Sequence, residues 1–245
     1  MVVPSAFAQV CAPTQLCGDV NAVDGVTIGD ALAVLRRSLG LPVTLSCSCS
    51  GGSATNLGGV LRTGQTMCWD VKDITNPINP IDCLGTGQDG QRQSGLAREF
   101  VDNGNGTITD VTTTLTWEKL SNDNSIHDYD NVAFQWEGAF LKIKDLNLQA
   151  FAGHNDWRLP TINELSTLVE YKNAAPAVPS PFNNQCLGEC TVLQCSCTKV
   201  DDYWSSTTNQ TSPNQAWTVD FQAGVTIQNN TKTVLKYVRA VRGGF

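Results

Sequence analysis

Ten cysteines restrict the folds open to this chain of 245 residues more than any other feature does. Their number is even and they fall into three clusters; they are Cys11, Cys17, Cys47, Cys49, Cys68, Cys83, Cys186, Cys190, Cys195 and Cys197. In an exported chain such cysteines oxidise to disulfides. We therefore expect a hairpin closed by Cys68–Cys83 and a loop pinned by two disulfides among the last four. A zinc site formed by those four is the alternative.

Composition excludes several classes of function. Hydrophobic residues make up 41% of the chain, enough for a packed core, and the net charge of −7 argues against a nucleic-acid-binding protein. No run approaches the roughly 18 apolar residues of a membrane span. Ala-Phe-Ala at residues 6–8 fits a secretory cleavage site, so residues 1–8 are interpreted as the remnant of a signal peptide. These features together predict an exported protein, secreted or held at a bacterial cell surface.

Residues 9–50 are predicted to form a small helical module closed by disulfides. Its loop "GDVNAVDGVTIGD" resembles one repeat of a dockerin, a calcium-loop module. The candidate ligands are Asp19, Asn21, Asp24 and Asp30. Three of them occupy the first, third and twelfth positions of a calcium loop, but Asp24 lies one step late and the fifth position is Val23. Calcium binding and a helical stub without metal both remain open, and a single repeat does not predict docking to a cohesin.

The rest of the chain divides into two further segments. Residues 51–95 are predicted to form a linker, rich in Gly, Ser and Thr at its start, followed by the disulfide-closed hairpin. Residues 96–245 form the main domain. There "FVDNGNGTITD" predicts a strand, an Asn-Gly turn and a second strand. Its carboxylates and amides also suit calcium, but a turn requires the same residue types for backbone reasons.

Two helices are predicted in the main domain. Residues 134–148 repeat large apolar side chains near the helical period. The segment "GHNDWRLPTINEL", residues 153–165, ends in a capping box of Thr161 and Glu164, which predicts the start of the second helix.

The first half of that segment looks reactive, because His154, Asn155, Asp156 and Arg158 stand close together. We favour structural roles for these residues, with Trp157 in the core. Either Arg239 or Arg242 is the expected partner of Asp156.

Four phrases in order carry a resemblance: "DNGNGTITD", "GHNDWRLPTINEL", "YWSSTT" and "YVRAVRGG". Together they resemble the Lcl C-terminal domain family, named for a bacterial collagen-like surface adhesin, and the resemblance covers about residues 60–243. It implies an α+β, C-type-lectin-like domain, in which two helices pack on small twisted antiparallel sheets and the two ends of the domain lie close together. That broad fold includes both lectins and formylglycine-generating enzymes, so the fold alone does not decide the function.

Motifs for catalysis are missing from the sequence. His127 and His154 are the only ordinary bases at neutral pH, and no GxSxG, HExxH, P-loop or CxxCH motif occurs. A formylglycine-type oxidase needs reactive cysteines near its C-terminal core, but no cysteine follows Cys197. We therefore expect no enzyme, no haem and no nucleotide, with calcium at the dockerin-like loop as the candidate cofactor.

The loops after Trp204 are the predicted ligand-binding surface. In the fold that the resemblance implies, this region is the exposed ligand face, and amides beside aromatic rings suit recognition. The candidate contacts are Tyr203, Trp204, Asn209, Gln210, Asn214, Gln228, Asn229 and Asn230. Solvated hairpin loops without a ligand are the alternative.

The sequence thus predicts an exported, non-enzymatic protein for recognition or adhesion. Its expected partner is a glycan or a protein on a surface. The alternative function is a disulfide-stabilised structural subunit, which assembles with copies of itself into a fibre, sheath or surface layer.

Overall fold

A computed structural model of the chain describes residues 59–69, 80–130 and 133–244. The chain divides into two compact units, residues 1–57 and residues 58–245, and the described residues all belong to the second. The predicted signal remnant, the dockerin-like module, its four candidate calcium ligands and the first four cysteines lie outside the described residues. Those predictions stay as they were made.

Short strands and helices alternate in the second unit. In chain order they are β1 (Cys68–Trp69), β2 (Pro80–Ile81), α1 (Asp89–Arg92), β3 (Phe100–Asp102), β4 (Thr107–Asp110), β5 (Leu115–Glu118), α2 (Trp136–Leu148), α3 (Ile162–Ser166), β6 (Asp202–Thr208), β7 (Gln215–Asp220), β8 (Val225–Thr231) and β9 (Val241–Gly243). Turns of 3-10 helix occur at Phe151–Gly153 and Ser180–Phe182. This mixture is an α+β fold, as predicted, while the C-type-lectin-like architecture stays a prediction. Among the described residues, no helix has both the length and the apolar character that crossing a bilayer requires.

Within the described residues the strands form three antiparallel sheets, with the orders β1-β2, β3-β4-β5-β9 and β6-β7-β8. In the four-stranded sheet, β9 pairs with β5 through Leu115–Gly243, Thr116–Arg242 and Trp117–Val241. The start and the end of the main domain are therefore joined in one sheet. The three-stranded sheet carries two irregularities in register, between Trp204 and Thr208 and between Ala216 and Thr218.

The hairpin between β3 and β4 confirms the predicted Asn-Gly turn. Gly104 and Gly106 have φ values of +69° and +90°, in the left-handed region that glycine adopts without strain. The carboxylate of Asp102 accepts hydrogen bonds from the Gly104 backbone at 2.9 Å and from Lys119 at 2.7 Å. The polar side chains of this turn hold the backbone in shape, which is the interpretation that the sequence favoured over calcium.

Helix α2 begins at Trp136, two residues later than predicted. The backbone before it is extended, because Phe134 pairs with Lys236 in an isolated bridge and the Trp136 N–H donates to the Lys232 carbonyl at 2.9 Å. The helix buries Ala139 and Leu146 among others. Residues 232–236 therefore lie beside the start of α2.

Helix α3 starts at the predicted capping box and ends at Ser166. Glu164 N–H donates to Thr161 Oγ1 at 3.3 Å, and Thr161 N–H donates to Glu164 Oε2 at 2.8 Å. After Ser166 the backbone tightens to bonds three residues back, from Leu168 N–H to the Leu165 carbonyl and from Val169 N–H to that of Ser166. Leu168 and Val169 are buried all the same, as their apolar character predicts.

Two clusters of buried side chains form the core, and the three-stranded sheet lies between them. Successive residues of a strand point to opposite faces of a sheet. Tyr203 and Val219 accordingly belong to the first cluster, with Trp117 and Phe182, whereas Trp204 belongs to the second, with Leu146 and Trp157. Both faces of β6 are therefore covered by protein.

Candidate functional site

Three disulfides lie within the described residues: Cys68–Cys83, Cys186–Cys197 and Cys190–Cys195. The first closes the β1–β2 hairpin, as predicted. The other two pin the loop between Phe182 and β6, which is the arrangement favoured over a zinc site. In this oxidised form the last four sulfurs are bonded in pairs and do not act as thiolate ligands.

We call residues 153–165 the signature segment, and Trp157 is its anchor. The ring is buried, and its Nε1 donates to the Phe151 carbonyl at 3.0 Å. The side-chain amide of Asn147 binds both the N–H and the carbonyl of Trp157, each at 2.8 Å. Trp157 is therefore a core residue, as the sequence predicted, and Asn147 of α2 fixes its backbone.

Arg158 and Glu164 form a two-pronged ion pair inside the same segment. Arg158 donates to both carboxylate oxygens of Glu164, at 2.7 and 2.6 Å, and to the Gly243 carbonyl at 2.9 Å. Burial alone would raise the pKa of Glu164, but the hydrogen bonds from Arg158 and Thr161 outweigh burial and lower it. This pair ties the start of α3 to β9.

The partner of Asp156 is Arg242, one of the two arginines that the sequence predicted. Arg242 donates to its carboxylate through Nε at 2.7 Å and Nη2 at 3.1 Å, whereas Arg239 is buried elsewhere. The backbone N–H of His154 donates to the Phe151 carbonyl, and Asn155 is exposed. The reactive appearance of the signature segment therefore reflects internal pairing.

A buried charge centre, made of Glu118, His127, Lys142 and Arg239, lies in the core. The Glu118 carboxylate accepts from His127 Nδ1 at 2.8 Å, from Lys142 Nζ at 3.0 Å and from the Ala240 N–H at 2.8 Å. Burial alone would raise the pKa of Glu118, but these partners outweigh burial and lower it from 4.5 to about 2. Nothing in the local sequence signals this centre, because its members come from four separate segments.

Arg239 completes the charge centre through neutral acceptors. It donates to the Glu118 backbone carbonyl at 2.9 Å, to the Cys197 carbonyl at 2.6 Å and to Thr198 Oγ1 at 2.9 Å. Its guanidinium carbon stands 5.3 Å from the centre of the Phe182 ring. Burial lowers the pKa of this guanidinium.

The structure corrects the assignment of Tyr203 and Trp204 as ligand contacts. Both side chains are 0% exposed, and each packs into a different core cluster. The Trp204 Nε1 donates to the Phe134 carbonyl at 2.8 Å. A ligand on the folded surface does not reach either ring, and the two side chains fix β6 in the core.

Asn209 and Asn230, also predicted as contacts, form a framework under the surface. The buried Asn209 donates to the Gln228 carbonyl at 2.8 Å, and its Oδ1 accepts from the N–H and hydroxyl of Thr211. The half-buried Asn230 donates to Thr218 Oγ1 at 2.7 Å and Asp202 Oδ2 at 3.1 Å. Asn209 thus fastens the β6–β7 loop to the middle of β8.

The other four predicted contacts are exposed, and we call them the amide surface: Gln210, Asn214, Gln228 and Asn229. Two lie in the β6–β7 loop and two in β8, which pairs only with β7 in its sheet. The register places Gln228 and Asn229 together opposite Trp217, because Ile227 pairs with Thr218 and Asn230 with Ala216. Such a bulge redirects side chains at the edge of a sheet.

Two aromatic residues near this surface were missed as candidates. Trp217 on the central strand is partly exposed beside the bulge. Trp136 is also partly exposed, with Lys232 Nζ 3.8 Å from its ring centre and its Nε1 donating to the Ser205 carbonyl. Their sequence neighbours give no sign of this surface, because β8 approaches Trp217 and Lys232 approaches Trp136 only in the folded chain.

These features define a disulfide-stabilised α+β domain that carries an uncharged amide surface at the edge of one sheet. The family model of the Lcl C-terminal domain matches residues 106–242. The chain belongs to the Lcl C-terminal domain family, and this membership indicates a surface or extracellular protein. No curated protein matches the chain.

Proposed function

We propose that this chain is an exported, non-enzymatic recognition protein that binds a glycan on a surface through its amide surface. One observation carries the proposal: four exposed amide side chains stand on a framework of buried asparagine bonds, beside the partly exposed ring of Trp217. The family and the disulfides support a location outside the cell.

The chemistry of the amide surface suits sugar hydroxyls. Each Gln or Asn side chain offers two N–H donors and a carbonyl acceptor, so it bonds a hydroxyl in either sense. Strand β8, "VTIQNNT", carries no charge, although the whole chain has a net charge of −7. A neutral surface with paired donors and acceptors favours a neutral polyhydroxyl ligand over an ionic one.

The framework lowers the cost of binding. Asn209 joins the β6–β7 loop to β8, and Lys232 N–H donates to the Asn214 carbonyl at 2.9 Å. Side chains held on ordered backbone lose less conformational freedom when a ligand arrives. A loop and a strand that are separate in sequence therefore present one ordered surface.

The surroundings of the two histidines support a function without catalysis. The His127 ring is hydrogen-bonded to the buried Glu118, and it packs on the ring of Phe151 with 4.3 Å between centres. His154 is partly buried in the signature segment, where Arg158 pairs with Glu164 and Asp156 pairs with Arg242. Neither histidine stands beside the amide surface in sequence or in sheet register.

A glycan array probed with the full chain tests the proposal. The variant Gln228→Ala/Asn229→Ala should lose more than about tenfold in affinity for any glycan that the parent binds, since each lost polar contact is worth roughly 1 kcal/mol. The matched control is Gln149→Ala/Asn155→Ala, which removes one exposed Gln and one exposed Asn near the signature segment and should bind as the parent does.

Three outcomes would contradict the proposal. A parent chain that binds no glycan but captures a surface protein through Gln228 and Asn229 would replace the glycan with a protein ligand. Equal binding by the amide variant and the control would move the site elsewhere. Large oligomers of the purified chain in light scattering, dispersed by the amide variant, would favour the self-assembling subunit.

A further inference from the structure

The two disulfides of the 183–200 loop touch each other in the core. Cys197 Sγ lies 4.0 Å from Cys190 Sγ and 3.9 Å from Cys195 Sγ, although its own bond is to Cys186. The sulfurs of Cys190, Cys195 and Cys197 all lie within 4.8 Å of one another, and all three residues are buried. Three sulfurs are thus gathered at one point, and the fourth, that of Cys186, is bonded to one of them.

This spacing is close to that of a zinc–thiolate centre. Four thiolates at about 2.3 Å from a zinc ion lie about 3.8 Å apart at the corners of a tetrahedron. The two non-bonded contacts of Cys197 already match that separation. A bonded pair of sulfurs is about 2 Å apart, so each pair would open by less than about 2 Å.

The loop offers a place for that movement. Cys186 is only partly buried, and residues 187–189, which join it to Cys190, are exposed. The other three cysteines come from a segment held to neighbouring backbone, where Cys197 N–H donates to the Leu120 carbonyl at 2.8 Å. Reduction would therefore free one side of the cluster while the other side keeps its position.

The charge beside the cluster favours an anionic ligand set. Four thiolates and one Zn²⁺ carry a net charge of −2, which is costly in a core unless positive charge is near. Arg239 donates to the carbonyl of Cys197 itself, and the acceptors of its hydrogen bonds among the described residues are neutral oxygens. The one carboxylate of the charge centre, Glu118, is bonded to Lys142 and His127. Among the described residues no carboxylate accepts a hydrogen bond from the Arg239 guanidinium, so its positive charge would offset part of the negative charge of the sulfur cluster.

We propose that this loop has two chemical states: two disulfides when it is oxidised, and a zinc site of Cys186, Cys190, Cys195 and Cys197 when it is reduced. A dithiol reductant breaks each S–S bond with two electrons and is itself oxidised to a disulfide, so two equivalents give four thiols. Binding one Zn²⁺ releases their four protons to solvent. The metal then cross-links the loop as the disulfides did.

Zinc uptake by the full chain, measured before and after reduction with a dithiol, tests this site. The experiment uses a variant that has Ser in place of Cys11, Cys17, Cys47 and Cys49, so that no thiol remains outside the described residues. This variant is called the parent in the zinc measurements. After reduction and dialysis it should retain one zinc per chain, and cobalt in its place should show the absorption of thiolate-to-metal charge transfer. The oxidised chain should retain none.

Two single substitutions in that parent locate the ligands. Cys190→Ser should weaken zinc binding by more than about tenfold, the smallest effect that even an outer-shell change gives. The matched control Ser196→Ala changes a buried neighbour that is not a proposed ligand, and it should bind zinc as the parent does. If Cys190→Ser fails to fold, the cobalt spectrum of the parent still reports four thiolates. No zinc in the reduced parent, or equal zinc in Cys190→Ser, overturns the proposal.

Discussion

The signature segment and the amide surface are opposites in what their polar groups do. In the signature segment, Arg158 and Glu164 are bonded to each other, Arg158 also binds Gly243, and Asp156 binds Arg242. In the amide surface, four side chains of no unusual chemistry face solvent above a bonded framework. The segment that is richest in reactive residue types therefore has a structural role in this domain. The surface that is available for binding consists of uncharged amide side chains.

The sharpest test of the structural side is the anchor of the signature segment. Trp157→Ala should lower the free energy of unfolding by about 3–5 kcal/mol, because it empties a buried site and removes a hydrogen bond. Denaturant unfolding measures this change. The control Trp69→Ala removes a tryptophan that is 37% exposed and should cost much less. Equal losses of unfolding free energy in the two variants would contradict a structural role for the signature segment.

Asn209 should resemble the signature segment more than it resembles its exposed neighbours. Asn209→Ala leaves the Gln228 carbonyl and the Thr211 N–H without their partner, so we expect a loss of about 1–3 kcal/mol in unfolding free energy. The control is Asn214→Ala, an exposed amide in the same loop, with a change near zero. If neither variant changes the melting temperature, the framework contributes less to stability than its hydrogen bonds indicate.

Acidification should affect the two regions differently, because the signature segment contains carboxylates and the amide surface contains no titratable side chain. The pKa of Glu164 lies below its ordinary 4.5 in the folded state, so its contribution is complete above about pH 4.5 and is lost as pH falls through the folded pKa. Glu164→Gln should cost about 1–2 kcal/mol at neutral pH, with the difference from the parent shrinking as the solution is acidified. The control is Glu137→Gln, an exposed glutamate in the first turn of α2. A pH-independent gap between Glu164→Gln and the parent would argue against the ion pair.

The smallest stability effect should come from the amide surface itself. Gln228→Ala/Asn229→Ala removes exposed side chains, so the unfolding free energy should change by less than about 0.5 kcal/mol while ligand binding falls. Calorimetric melting beside the binding assay checks both halves. A large loss of stability would mean that these amides belong to the framework, and the contrast between the two regions would then disappear.

Features that depend on neighbouring residues could be predicted from the sequence. The capping box joins Thr161 and Glu164, three residues apart, and the Asn-Gly turn needs only the backbone freedom of Gly104 and Gly106. The Cys68–Cys83 hairpin is also local. In each case the partners are held together by the short chain between them, so the pattern alone fixes the outcome.

Features that depend on packing between distant segments could not be predicted from the sequence. The resemblance implies an exposed face in this region but does not tell how deeply each side chain is buried, and so Tyr203 and Trp204 were predicted as ligand contacts although both are buried. The choice between Arg239 and Arg242 as the partner of Asp156 depends on how β9 is placed against the signature segment. The buried charge centre around Glu118 could not be predicted, because Lys142 and Arg239 approach Glu118 only in the folded chain.

The order of the four-stranded sheet has a mechanical consequence. Strands β3 and β9 are separated by two strands, so the points where the chain joins and leaves this sheet lie roughly 14 Å apart. A pulling force applied at Phe100 and Gly243 would act across the sheet on its two outer seams, β3–β4 and β5–β9, each of which has three residue pairs. Strands β6 to β8 lie outside that path. Tension on the domain would therefore reach the amide surface only after one of these two seams had opened.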